Sequence, residues 1–541
     1  MAENNITATR DGLIAEIQRR VDDKILEQTN ADLLTKLIRN ADTLDEAMAI
    51  AQLGTTYKRT GLHYDKRLEK QRGNTIKYFK KNEELSFSDG TDSPHHKLII
   101  GDNYDALQNL LIQYRGKVDV IYIDPPYGKD SMGEFADTNY DNAITRDNLL
   151  SMLQPRLVLA KQLLCNTGII FCSIDDRNQA YVKCLMDEVF GEKNFIENFC
   201  WIKTETPANL SKKSKKAVEY ILCYEKNRTQ IKYRGLMKTS ASNNGLMNQT
   251  NSLHELIFPA GIVNTSLRNG KYTKGVYGTN AYTIELLEDT EVTDKVFTHP
   301  VHLRGKFKWS QDKLEEEINK GTIISIKTNA FSPSYDKLEY EPEAPWNIIN
   351  KSFSVGTNEI ASAEVDSILG SDIFDFPKPI SLIKYLVSFV EANIIVDFFA
   401  GSGTTGHAIL DMVKDGDEKQ FILCQVNEVN DKNPHGIVYD STAPRLKRIM
   451  TGSCYNQSER YPFYTGCNDF PWLKDNEPYG GSLDVYEIDS VSNAEHVCGK
   501  TPFDVIDETL YGQEMFDTIE DKIRWVCENF EATQDKLVEK K

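Results

Sequence analysis

Four consecutive residues, Asp124, Pro125, Pro126 and Tyr127, put an acid, two conformationally locked residues and an aromatic ring into one short loop. An amino group attached to a heteroaromatic ring is a poor nucleophile, because its lone pair is delocalised into the ring. A carboxylate and a fixed backbone carbonyl can accept its two N–H protons. That arrangement favours a tetrahedral nitrogen whose lone pair can meet an electrophile. The prolines would hold the Asp124 carboxylate and the Pro125 carbonyl in place, and Tyr127 offers a face for an extruded base to stack on. The competing reading is a plain Pro-Pro turn with an Asp cap and a packed Tyr.

A second constellation lies in "IIVDFFAGSGTTGHAIL", residues 394–410. Gly401, Gly403 and Gly406 spell the GxGxxG of a dinucleotide fold, and Glu428 stands where a ribose-binding acid is expected. A nicotinamide-dependent oxidoreductase is one reading. The same strand–loop–helix serves any ligand carrying an adenosine, S-adenosylmethionine included, so the loop by itself leaves both open.

Both constellations need rigid elements behind them. "VDVIYI" before Asp124 reads as a buried strand, which places the loop at a strand's C-terminal end, where ligand sites open in parallel sheets. "KLIIGDNYDALQNLL" reads as strand, turn, helix, and "LQPRLVLAKQLLCNTGIIFCSIDD" as helix, turn, strand. After an irregular, polar stretch the alternation resumes with helix 379–392, strand 394–399, helix 404–414 and strand 420–426. Strands alternating with helices predict an α/β fold with a parallel sheet. The expected organisation is a helical region at 1–70, an α/β domain in two parts, 71–226 and 351–450, an intervening module at 227–350, and an acidic domain at 451–541.

Composition sets the outer limits. The 541 residues are too many for one compact core, and no apolar run approaches the roughly 18 residues of a membrane span. The N-terminus lacks a signal pattern, so a cytoplasmic protein is expected. Ten cysteines without a CxxC pair read as buried, reduced thiols, with no metal site. The net charge of -18 conceals a polarity. Residues 468–541 carry 18 acids and 7 bases, whereas residues 201–240 carry 10 bases and 3 acids, including Lys212, Lys213, Lys215 and Lys216. Nucleic acid could bind the basic region, while the apolar residues of the acidic tail predict docking on protein. "CGKT" at 498–501 lacks the first glycine of a phosphate loop, and the absence of a Pro-Cys dipeptide argues against a covalent cysteine mechanism.

With these blocks in this order, the sequence resembles the beta class of DPPY amino-methyltransferases. It is especially similar to the modification (Mod) subunits of Type III restriction–modification systems. "LIIGDNYDALQNLL", "KVDVIYIDPPYG", "LMDEVFGEKNF", "VEYILCYEKN" and "FDFPKPISLIKYLV" all look like family blocks, over roughly half the chain. The resemblance implies a circularly permuted, Rossmann-like S-adenosylmethionine-dependent methyltransferase fold with an inserted target recognition domain. It implies cofactor contacts from Asp397, Phe399, Gly401, Ser402, Gly403 and Thr404, with Pro377 and Lys378 beside the methionine moiety and Asp102 near the adenine. Asp124 to Tyr127 would form the catalytic loop, with Asp124 also bordering the cofactor. Gln425 ends the next strand and the acid is delayed to Glu428, so either could meet the ribose. The family often continues with Asn-Thr-Gly where this chain has Gly128, Lys129 and Asp130. The implied activity is methylation of adenine N6 in double-stranded DNA with base flipping. A homodimer and a restriction (helicase–nuclease) subunit are the implied partners. Cytosine N4 or an RNA base is the alternative acceptor, and a catalytically silent DNA-binding subunit is a third class.

Overall fold

The computed structural model describes residues 9–22, 26, 28–53, 75–90, 95–127, 146–207, 213–235, 244–337, 343–370, 373–414, 418–464, 470–492 and 501–530. The chain divides into two compact units, residues 1–67 and 68–541. The first contains three helices, α1 (Arg10–Asp22), α2 (Gln28–Asn40) and α3 (Leu44–Leu53), around Ile17, Ala31, Ile38 and Ala47. Residues 54–70, also expected to be helical, lie outside the described residues.

The second unit is organised by a ten-stranded sheet. Its strands are β1 (Thr75–Lys81), β2 (His95–Ile100), β3 (Val118–Ile123), β4 (Leu164–Ile174), β5 (Phe195–Ile202), β6 (Val218–Glu225), β7 (Ile348–Ile349), β8 (Ile394–Asp397), β9 (Gln420–Gln425) and β10 (Ser482–Ser492). Their spatial order is β1-β10-β2-β9-β8-β3-β4-β6-β5-β7. The six strands from β10 to β4 run parallel, and β1 and β6 run antiparallel to their neighbours. The central strands are apolar runs buried on both faces, as "VDVIYI" and "QFILCQ" require. The unit's helices include α4 (Asn103–Tyr114), α5 (Arg146–Leu163) and α6 (Gln179–Phe190).

Direction of travel makes the site. From β3 the chain passes through α5 to β4 on one side, and from β8 it passes to β9 on the other. Because β3 and β8 are neighbours, with Val120 opposite Ile395 and Ile121 opposite Val396, connections leave their C-terminal ends in opposite directions. A crevice opens there. The acid–proline loop and the glycine loop are its two lips.

Residues 244–337 fold differently, into a seven-stranded and a four-stranded sheet with helix α7 (Gln311–Asn319). They share a core of their own that includes Phe258, Phe297, Phe307 and Phe331. The chain then returns to the large sheet at β7 and continues through α8 (Asn358–Leu369), α9 (Ile380–Val387), α10 (Thr404–Lys414) and α11 (Ala443–Thr451).

Three expectations need correction. The acidic segment does not stand apart. Its strand β10 lies between β1 and β2, and the run "SLDVYEI" buries Leu483 and Val485 on one face and Tyr486 on the other. The Tyr511 hydroxyl then donates to Asn109 Oδ1 at 2.8 Å and accepts from the Phe79 amide at 2.8 Å, which ties residues 501–530 to the same unit. Helix α9 ends at Val387 rather than 392, since the chain turns to bury Phe389. The cysteines are not uniformly buried: 172, 223, 424 and 527 are, 165, 200 and 454 are partly covered, and Cys184 is exposed. Cys467, Cys498, Lys212, Gly128, Lys129, Asp130 and most of "CGKT" lie outside the described residues. Among the described residues no helix is long and apolar enough to cross a membrane.

Candidate active site

On one lip, Asp124 follows β3 directly and both of its carboxylate oxygens are engaged. Oδ1 accepts from the Tyr127 hydroxyl at 2.7 Å, and Oδ2 accepts from Lys378 Nζ at 2.6 Å. Lys378 reaches Asp124 because Pro377, Lys378 and Pro379 are buried ahead of α9, with Pro379 as its N-cap. Proline suits a helix start, where no amide donor is lost from the ladder. Lys378 Nζ also lies 3.1 Å from the Tyr127 hydroxyl and 5.3 Å from the centre of its ring. The Tyr127 carbonyl accepts from Asn178 Nδ2 at 2.5 Å, fixing the far end of the loop. The Pro125 carbonyl accepts no hydrogen bond from the described residues.

Glu219 completes this cluster and was not singled out by the sequence reading. It is 5% exposed at the start of β6, with Oε1 bound by Lys203 Nζ at 2.9 Å. Its Oε2 lies 3.1 Å from the Tyr127 hydroxyl and 3.4 Å from Lys378 Nζ. Burial pushes the Asp124 carboxyl above the usual range, against the pull of Lys378. Burial would do the same to Glu219, but Lys378 and Lys203 more than reverse it. Lys378 is desolvated too, yet Asp124 and Glu219 push it up to about 12. A cation shared by two carboxylates stays charged. The signal in the sequence was one acid inside the apolar run "VEYILC".

The other lip is the glycine loop between β8 and α10. Asp397 is 2% exposed; its Oδ1 accepts from the Phe399 amide at 2.9 Å and its Oδ2 from Thr405 Oγ1 at 2.6 Å. It therefore organises the loop from beneath, and burial pushes it up to about 7. The Gly401 amide donates to Gln425 Oε1 at 2.8 Å, and the Gly401 carbonyl accepts from Thr442 Oγ1 at 2.6 Å. Gly401 and Gly403 have φ of 50° and 81°, which L side chains rarely adopt. A Cβ on Gly401 would meet the Phe374 ring at 3.1 Å; one on Gly403 would meet Thr442 at 3.4 Å. Glycine at 403 thus serves the turn and the packing against Thr442 and α11.

Ser402 and Thr404 are buried and bound by Arg445 Nη1, in each case at 3.0 Å. Arg445 is fully buried on α11, where burial lowers it to about 10, and Nη2 reaches His407 Nδ1 at 3.0 Å. Arg445 is one of three basic residues in "APRLKRIM", and nothing in that run marks it as the buried one. Ser402 and Thr404 brace the loop through their hydroxyls. Asp102 is likewise occupied: it caps α4 through the Tyr104 amide at 2.8 Å and pairs with Arg156 Nη2 at 3.0 Å. It stands at the end of β2, beside Gln425, whose carbonyl accepts from the Gly101 amide at 3.0 Å. Glu428 is the exception. Burial raises its carboxyl, and its side chain has no partner among the described residues. Of the expected cofactor contacts, the Glu428 carboxylate has no partner among the described residues, whereas Asp102, Asp397, Ser402, Thr404 and Gln425, and the Phe399 and Gly401 amides, are engaged with partners inside the protein.

A strap crosses this lip. Asp375 pairs with Lys432 at 2.6 Å, and Asn433 Nδ2 donates to the Ile373 carbonyl at 3.2 Å. The strap carries the Phe374 ring over Gly401 and leads into Pro377 and Lys378, coupling the two lips through one segment.

Asp124 at the end of β3 and the glycine loop after β8 thus border one crevice at a topological switch point of a doubly wound α/β sheet. The chain belongs to the DNA methylase family, whose N6_N4 methylase model matches residues 118–430, more than half of it. Residues 12–120 match a second family, of uncharacterised conserved proteins. The chain is 28% identical to the Type III restriction-modification enzyme StyLTI Mod subunit of Salmonella typhimurium over 63% of this chain and 53% of that one. It is 29% identical to the EcoPI Mod subunit of Escherichia phage P1, covering 66% and 62%. It is 26% identical to the Type II methyltransferase M.KpnI of Klebsiella pneumoniae, covering 73% and 95%. The chain thus spans about half the length of the StyLTI subunit. A solved PvuII DNA methyltransferase (cytosine-N4-specific) aligns over 65% of this chain and 87% of its own, at 11% identity and a TM-score of 0.33, too low to define a common fold.

Proposed function

We propose that this protein methylates N6 of adenine in double-stranded DNA, as the modification subunit of a Type III restriction–modification system. The observation that carries the reading is the crevice between β3 and β8, which sets an acceptor pair, Asp124 and the Pro125 carbonyl, against a glycine cradle. The donor set fits S-adenosylmethionine. Gly401 and Gly403 make the tight turn at positive φ that shapes the loop, and the Glu428 carboxylate, without a partner among the described residues, suits a ribose diol better than Gln425, which is spent on Gly401. When bound, S-adenosylmethionine supplies a methyl group on a positively charged sulfur.

The chain's own residues do the rest. Asp124 and the Pro125 carbonyl accept the two N–H groups of a flipped adenine and turn its lone pair toward the glycine loop. Tyr127 stacks on the base, offsetting the few kcal/mol that extrusion costs. Positive charge disappears in the transition state, so orientation contributes more than acid–base chemistry. Asp before Pro-Pro and the Mod-subunit relatives favour adenine over cytosine. The β-rich region within 227–350 is the proposed target recognition domain, inserted into a circularly permuted methyltransferase. A second copy of the chain and a helicase–nuclease subunit are the proposed protein partners.

Asp124→Ala is the direct test of the site. Methyl transfer to DNA should fall by far more than about tenfold, or about 1.4 kcal/mol of barrier, while calorimetry finds cofactor binding intact. Turnover within about tenfold of the parent would remove Asp124 from the chemistry.

A further inference from the structure

The resting geometry contains an obstacle. Asp124 must accept an amino N–H, yet Tyr127 and Lys378 hold both of its oxygens at 2.7 and 2.6 Å. A charge-assisted bond from an ammonium is strong, and an oxygen so engaged is a weak acceptor for a base. Each oxygen keeps a second lone pair, so moving these donors elsewhere strengthens Asp124 as an acceptor for the base.

We propose that Glu219 is a positioning residue that takes over Lys378 and the Tyr127 hydroxyl from Asp124 when the target base enters. Three observations carry this. One oxygen, Oε2, faces both donors, at 3.4 Å from Lys378 and 3.1 Å from Tyr127. The hand-over therefore needs shifts of only about 0.8 Å (3.4 against 2.6) and 0.4 Å (3.1 against 2.7). The other oxygen is anchored by Lys203 at 2.9 Å, so the carboxylate stays put while the donors move. Finally, Glu219 is 5% exposed on a strand whose next buried residues are Ile221, Leu222 and Cys223. An ionised group there is costly unless paired, and packing alone would be served by an apolar residue. No bond to hydrogen is broken in the exchange: two hydrogen bonds change acceptor, and Asp124 is freed for the base.

This inference rests on the methyltransferase reading, so the parent protein is assayed first. The probe is PCR-amplified, and hence unmethylated, bacterial genomic DNA with methyl-tritiated S-adenosylmethionine. A parent that labels no adenine would overturn the function and this inference together. Given an active parent, Glu219→Gln keeps the shape and removes the charge. The expected result is a kcat lowered about tenfold, with KM for DNA and cofactor affinity both near parental values. Glu219→Asp keeps the charge but draws it back by about 1.5 Å; it should show the same split and takes the place of Glu219→Gln if that variant does not fold. A kcat close to that of the parent would overturn the inference and leave the function standing. So would a loss shared by kcat, KM and thermal stability, which marks a structural carboxylate.

Discussion

Asp124, Glu219 and Lys378 form a buried cluster in which two acids compete for one cation, and the site's hydrogen bonding turns on that competition. Asp397 is the contrasting acid. Among the described residues it touches no cation; Thr405 and the Phe399 amide support it, and burial pushes it up to about 7 from an ordinary 3.8. Between those values the folded protein retains a proton that the unfolded chain has released. Stability from this group therefore falls as pH rises from about 4 to 7 and levels off above that, by an amount on the order of a few kcal/mol. Thermal midpoints of the parent and of Asp397→Asn, compared from pH 5 to pH 8, should converge or cross with rising pH as the parent loses its relative advantage. A difference that stays constant across that range would show that Asp397 is ionised throughout.

At the scale of elements, the glycine loop is held by a sequence-distant set: Gln425 from β9, Thr442 and Arg445 from the chain at and within α11, and Phe374 from the strap before α9. Gly403 shows what this means. Its φ of 81° and the nearby Thr442 and Leu446 leave no room for a branched side chain. Gly403→Val should lower the thermal midpoint through backbone strain of about 1–3 kcal/mol and weaken cofactor binding as a consequence. Unchanged stability with unchanged cofactor affinity would refute this account of the turn. The sequence made β2, β3, β4, β8 and β9, both loops and the helices α4, α5, α9 and α10 legible, because buried parallel strands read as unbroken apolar runs, whereas β1, β7, β10, α7 and α8 were not anticipated. It left the supports obscure. Glu219, Arg445 and Thr442 are ordinary residues whose role depends on partners 16 to 159 positions away (Lys203 and Lys378 for Glu219), a separation that no local pattern records. The role expected of Asp102, Ser402 and Thr404 as direct contacts has the same origin: their types suit a ligand, but the fold assigns them internal partners.

At the scale of the whole molecule, charge is sorted. Lys213 and Lys215 are exposed, whereas Lys216 pairs with Asp176 at 2.9 Å. If this run lies on DNA, replacing Lys212, Lys213, Lys215 and Lys216 by Glu should weaken binding to all sequences and reduce the dependence of affinity on salt. Reversal of Lys216 alone should matter least, since its charge is already neutralised. An unaltered salt slope for the quadruple variant would make the run a solvated loop. The acidic C-terminal segment has a different place than its charge suggested. Its strand β10 belongs to the large sheet, so a partner proposed for this region would meet its outer surface and not a detachable tail.

All three scales converge on one product. DNA incubated with the protein and methyl-labelled S-adenosylmethionine, then digested to nucleosides and resolved by chromatography, reports directly which atom was modified. Label confined to N6-methyldeoxyadenosine is the predicted result. Label in N4-methyldeoxycytidine would transfer the same crevice to another base, and label in no nucleoside would contradict the assignment of Asp124, Pro125 and Tyr127 to methyl transfer.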